Sequence, residues 1–162
     1  LERLLYHESG SGAQVRKWMA QLADKGADTV DEGVMERIRA TFAAGWADEE
    51  QVSGEIKRIY ETYNYLCDPH TAVAFRVQQQ LAAREVKRPT VVVSTANPYK
   101  FSGKVLAALG RPVPEDEFAA IAALEEYTGW QAPVSLSSLR GKSVRFTQEI
   151  APEKITGIPL TL

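Results

Sequence analysis

VVVSTANPYKF, residues 91–101, decides the fold of this chain, because it reads as a buried strand running directly into a capped helix. Val91, Val92 and Val93 form an apolar β-branched run, too short for a helix and typical of a strand covered on both faces. Ser94 and Thr95 place two hydroxyls at the strand's carboxyl end. Asn97 is a good helix cap whose side-chain oxygen can take a free amide of the next turn, and Pro98 suits a first helical position that needs no N–H. A helix is expected through Lys104, Val105, Leu106 and Leu109 until Gly110, with Lys100 in its first turn. In open α/β sheets such junctions bind small ligands, because unpaired amides and the positive helix end converge there. Taken alone, such a stretch is more commonly an ordinary capped βα turn with no ligand.

Upstream, DPHTAVA at residues 68–74 repeats the same grammar of cap, first-turn proline and apolar helix. Asp68 can cap, Pro69 can open the helix, and His70 and Thr71 project from its first turn. A carboxylate at the cap already satisfies the helix dipole, which weighs against a bare anion site here. The expected helix continues through Val77 and Leu81 to about Arg84. Cys67 reads as a small buried apolar side chain beside the cap, since no base stands near it in sequence.

Outward from these blocks, residues 1–64 read as mainly helical. Leu1, Leu4, Leu5 and Tyr6 form a stripe that breaks at Gly10 and Gly12; Val15, Trp18, Met19 and Leu22 form a second that stops at Gly26. Asp31 can cap a third helix carrying Val34, Ile38 and Phe42, closed by Gly45. A fourth starts at the acidic Asp48, Glu49 and Glu50 and buries Val52, Ile56, Ile59, Tyr60 and Tyr63. Residues 65–130 form a βα segment whose last helix opens at Glu115, Asp116 and Glu117, holds Phe118, Ile121 and Leu124 inward, and ends at Gly129. Residues 131–162 form a C-terminal extension: a short helix or turn around Val134, Leu136 and Leu139, a turn at Arg140 and Gly141, a short strand at Val144, Arg145 and Phe146, and an irregular end over residues 156–162. The expected fold class is therefore α/β, a helix-rich three-layer arrangement with a small, mostly parallel sheet.

At 162 residues, with 44% apolar and 25% charged residues, the chain can bury a core of ordinary size. A net charge of −2 with interspersed signs gives no electrostatic footprint for nucleic acid or membrane. One cysteine excludes an internal disulfide and a cysteine-cluster metal site, and accords with a reducing, cytoplasmic compartment. No apolar run approaches the roughly 18 residues a spanning helix needs, and no signal peptide is visible.

The order of LERLLY, DPHTAVA and VVVSTANPYKF resembles the C-terminal part of the threonine synthase family, pyridoxal-phosphate enzymes of fold type II. The opening matches a family segment written as serine, asparagine, an aromatic or leucine, then ERLLY; the family's later block often reads STAHPAKF, so Asn97 replaces a histidine and Tyr99 an alanine. The resemblance implies conversion of O-phospho-L-homoserine and water to L-threonine and phosphate. It implies that Thr95, with Ser94 beside it, bonds the pyridine nitrogen of pyridoxal phosphate, that Lys100 and Asn97 face the substrate, and that His70 and Thr71 either line the same cleft or support it. A neutral hydroxyl suits that nitrogen because, unlike an aspartate, it does not hold a proton on the ring. The Schiff-base lysine and the glycine-rich phosphate loop of the family have no match here, so this chain is expected to be a C-terminal fragment, inactive without its N-terminal portion. The exposed edge of its truncated sheet would invite pairing between copies. Two rival readings stand beside it: a non-enzymatic helical α/β interaction domain, and an unrelated hydrolase using the junction as a phosphate site.

Overall fold

Several helix starts and stops are set by local chemistry in the computed structural model, which describes residues 1–82, 89–145, 147 and 149–157. The chain divides into two compact units, Leu1–Asp48 with Val73–Val91 and Glu49–Ala72 with Val92–Leu162.

In the first unit, α1 (Glu2–Ser9) and α2 (Gly12–Lys25) are separated by Gly10, whose φ of 67° takes the left-handed turn that ends α1. Ser11 then caps α2 by accepting from the Gln14 amide at 3.2 Å. Helix α3 (Glu32–Thr41) returns against α1, and Leu5, Val15, Trp18 and Val34 meet in a core flanked by Met19, Val30 and Ile38. Arg37 fastens α3 to the end of α1 by donating to the Glu8 carbonyl at 2.6 and 3.1 Å. Helix α3 stops at Phe42, which is extended and half-exposed, and not at Gly45 as the sequence reading expects. Gly45 serves packing instead: a Cβ there would lie 2.9 Å from Val77 Cγ1, so only glycine fits against the later turns of α5 (Pro69–Ala82). The expected continuation of that helix to Arg84 lies outside the described residues.

In the second unit, α4 (Glu49–Tyr63) buries Val52, Ile56 and Ile59, and Asn64 ends it with a φ of 50°. Tyr63, expected in that stripe, is 65% exposed. Buried Glu55 holds Arg58 through a two-pronged pair at 2.5 and 3.1 Å, and this pairing keeps the Arg58 guanidinium above its ordinary pKa. The chain then enters α5. Farther on, a 3₁₀ turn (Pro98–Phe101) leads into α6 (Ser102–Ala108), which ends at Gly110 with a φ of 69°. Helix α6 is the centre of this unit: Val105 and Leu106 are fully buried, and it packs on both α4 and α7 (Glu117–Thr128). Asp116 caps α7 through the Ala119 amide at 2.7 Å. The extension holds α8 (Val134–Ser137) and two further 3₁₀ turns, Ser138–Gly141 and Pro152–Gly157.

The expected α/β class is corrected: the described residues contain helices and no strand, so there is neither a sheet nor a three-layer arrangement. Residues 91–93 have no regular structure, and Val91 and Val93 are 86% and 68% exposed where a strand covered on both faces would bury them. The physical reason is that β-branched residues only favour an extended backbone. A strand forms when a neighbour completes its hydrogen-bond ladder, and no described segment does so. The pairing of copies expected along the sheet edge loses the edge it rested on. Val144 and Arg145 likewise form no strand, while Phe146 and residues 158–162 lie outside the described residues.

Candidate functional site

Asp68 is the anchor. It is fully buried, and its Oδ1 accepts from the His70 amide at 2.9 Å and the Thr71 amide at 3.3 Å, which satisfies two of the free donors at the start of α5. Its Oδ2 accepts from the Thr71 hydroxyl. Thr71, 2% exposed, also lies 3.3 Å, oxygen to oxygen, from the Ser94 hydroxyl, twenty-three residues farther along the chain. A hydroxyl carries one proton, and that of Thr71 is directed at a carboxylate. With that proton on the carboxylate, Ser94 is the group placed to donate across the contact. A weaker alternative for Ser94 is the Ala96 carbonyl at 3.5 Å.

The second bridge between the two motif blocks is aromatic. The His70 ring stands edge-on to the Phe101 ring, with centroids 5.3 Å apart and planes at 77°. Asn97 caps as expected, its Oδ1 accepting from the Tyr99 amide at 3.0 Å, and so spends its oxygen on its own turn. Thr95 is exposed, and its hydroxyl has no partner among the described residues. Lys100 is exposed at the mouth of a pocket of about 390 Å³ floored by Phe118, Ile121, Leu136 and Leu139. On the same pocket, Lys104 is engaged with Glu49 at 3.1 Å.

The structure thus joins Thr71 to Ser94 and His70 to Phe101, and places Thr95, Asn97 and Lys100 along the segment that follows Ser94. Among the described residues no hydrogen bond ties Thr95, Asn97 or Lys100 to His70. Thr71 is a buried connector with a committed proton. Cys67 is 1% exposed, and burial, reinforced by the neighbouring Asp68 carboxylate, pushes its thiol up to about 12, which removes it as a nucleophile at neutral pH.

Two residues carry more than the sequence disclosed. Phe101, closing the VVVSTANPYKF block, gives His70 its surface. Tyr99, where the resembled block has alanine, is 4% exposed; its hydroxyl donates to the Trp130 carbonyl at 2.7 Å and meets the Thr128 hydroxyl at 3.2 Å, clamping the end of α7. Burial holds its phenol above the ordinary pKa. Composition offered one cue, a tyrosine inside a capped turn; its partners some thirty residues away left no local signal.

Among the described residues no group of three or more histidine, cysteine or acidic side chains is placed to hold a metal ion, and no helix is long and apolar enough to cross a membrane.

These features define a helical segment with a hydroxyl-bearing turn tied to a buried carboxylate. Residues 71–140 match the family described as threonine synthase, C-terminal. The chain is 32% identical over 105 residues to threonine synthase of Saccharomyces cerevisiae, a match covering 61% of this chain and 20% of the relative. It is 31% identical over 80 residues to human threonine synthase-like 1, covering 49% and 10%. A crystal structure of threonine synthase from Brucella melitensis, described as bound to PLP, aligns with a TM-score of 0.52 at 32% identity over 76% of this chain and 26% of that one. The chain belongs to the threonine synthase family, as its C-terminal segment. It spans about a fifth of the length of the yeast enzyme it matches.

Proposed function

We propose that this chain supplies the C-terminal part of the pocket of a pyridoxal-phosphate-dependent lyase that converts O-phospho-L-homoserine and water to L-threonine and phosphate. The observation that carries the reading is the exposed, unpartnered Thr95 hydroxyl next to Ser94, whose own hydroxyl is tied through Thr71 to buried Asp68. That donor set fits the ring-nitrogen end of pyridoxal phosphate. A hydroxyl can donate to an unprotonated pyridine nitrogen, and Asp68 is kept away from it by two hydroxyls. Among the described residues the phosphate end finds no glycine-rich cradle, since Gly10, Gly26, Gly110 and Gly129 take positive φ to end helices.

When bound, the cofactor supplies an electron sink for chemistry on the substrate's carbon chain. Thr95 would hold the ring nitrogen and Ser94 would fix the turn that presents it. Lys100 would attract the substrate's phosphate as a point charge, with Asn97, His70 and Thr71 shaping or supporting that side of the cleft. The lysine that carries the cofactor and moves protons would come from an N-terminal portion, so the 162-residue chain by itself is expected to be inactive.

The test is co-expression of this chain with the cofactor-carrying N-terminal portion of a threonine synthase relative, followed by measurement of phosphate release from O-phosphohomoserine. Release that requires both parts and falls at least about a hundredfold with Thr95→Val supports the reading. Activity of this chain alone, or release indifferent to Thr95→Val in a soluble complex, overturns it.

A further inference from the structure

The first unit carries a groove that the proposed chemistry does not use. On α1, Arg3 and His7 are four residues apart, with Tyr6 three from Arg3, so all three fall on one side of the helix. On α2, Val15, Arg16 and Met19 recur at i, i+1 and i+4 and share a face. The two faces enclose a groove of about 370 Å³, with Glu2 also on its lining. Val15 is buried and Met19 packs on the Leu5–Trp18 core, which gives the groove an apolar floor, while Tyr6 is 52% exposed at its side.

Most of the other described arginines are engaged, although Arg76, whose buried Nε has no partner among the described residues, is not. Arg37 pairs with Glu8, Arg39 with Glu32, Arg58 with Glu55 and Arg140 with Asp116, and Arg111 covers the Tyr127 ring at 4.0 Å. Arg3 and Arg16 have no such partner among the described residues, and both line this one groove. Two guanidinium forks against the single carboxylate of Glu2 leave a net positive lining over an apolar floor. A fork of this kind matches the planar or tripodal oxygens of a carboxylate or phosphate.

We propose that the groove binds a small organic oxyanion, with its phosphate or carboxylate head on Arg3 and Arg16 and its apolar body over Val15 and Met19. The site is independent of Thr95 and of any cofactor.

The experiment is titration of the 162-residue chain with phenyl phosphate, benzoate and inorganic phosphate, followed by calorimetry and by backbone chemical shifts. Saturable binding is expected, with shifts concentrated at Tyr6, Gly12 and Arg16, and with phenyl phosphate tighter than inorganic phosphate because only the former covers the floor. The benzoate arm separates a carboxylate-accepting site, bound comparably to phenyl phosphate, from one that requires phosphate; saturation by either supports the proposal. Arg3→Gln and Arg16→Gln should each weaken binding about tenfold, the effect of losing a charge-assisted bond. Arg39→Gln, outside the groove, should leave it unchanged. Both groove positions are exposed, and unaltered circular dichroism would show that the variants fold. Absence of saturation, equal binding by the doubly substituted chain, or equal weakening by Arg39→Gln overturns the proposal.

Discussion

Replacing Thr71 by valine tests whether buried Asp68 depends on the hydroxyl beside it. Valine has almost the shape of threonine, so the 2%-exposed site should neither open a cavity nor overpack. What disappears is the donor to Asp68 Oδ2, and a hydrogen bond to a charged group contributes about 1.5–3 kcal/mol. The contact with Ser94 adds little, because Ser94 is exposed and water can replace it. Oδ1 keeps its two amides, so α5 retains its cap. The expected loss is about 2–3 kcal/mol for Thr71→Val, against about 1 kcal/mol for Thr71→Ser, which sheds one methyl group and keeps the donor. Serine being the milder change inverts the order that hydrophobic burial alone would give. Native-state hydrogen exchange of the Val105 and Leu106 amides reports on the second unit specifically, since both residues are buried at its centre. Thr71→Val within 0.5 kcal/mol of the parent (the roughly neutral range for surface changes), or serine costing more than valine, would refute the reasoning.

Three further outcomes are expected. Because the Cys67 thiol is raised from 9.0 to about 12, its contribution to stability is complete below pH 9 and is lost as pH rises toward 12; the unfolded chain has released the proton there and the folded chain has not. Stability should fall by about 1.4 kcal/mol per pH unit more steeply in that window than in Cys67→Ala, as urea titrations at pH 8, 9.5 and 10.5 would show. Tyr99→Phe should cost about 1 kcal/mol through its lost bond to the Trp130 carbonyl, and Tyr99→Ala about 3 kcal/mol through the cavity, both read from denaturant midpoints. Gly45→Ala should destabilise by about 1–2 kcal/mol, because its methyl would meet a branched Val77 that cannot swing aside; the melting temperature measures it.

Caps were the most legible part of this fold, although Asp31, also expected to cap, accepts no side-chain cap bond at the start of α3. Asp68, Asn97 and Asp116 each accept from an amide two or three residues on, and Gly26, Gly110 and Gly129 each turn left-handed where a helix stops. Those outcomes depend on a few neighbouring residues, so local chemistry decides them. The valine run 91–93 failed for the opposite reason, since a strand is a property of two segments and only one can be read from the run itself. Gly45 misled in the same way: glycine marks both helix ends and close approaches, and only the tertiary contact with Val77 tells which. Near the two motif blocks, Asp68 was evident as a cap. That Thr71 would meet Ser94, that His70 would rest on Phe101, and that Tyr99 would reach Trp130 all depend on returns of the chain from more than twenty residues away, for which the sequence carries no periodic signature.

The two motif blocks meet through Thr71 and Ser94. The measurement that tests this meeting most directly is a nuclear Overhauser contact between the Thr71 γ-methyl and the Ser94 β-protons in the isotopically labelled chain. Hydroxyl oxygens 3.3 Å apart bring the two side chains into contact, and a cross-peak is predicted. Its absence, with the contacts inside each block intact, would contradict the account.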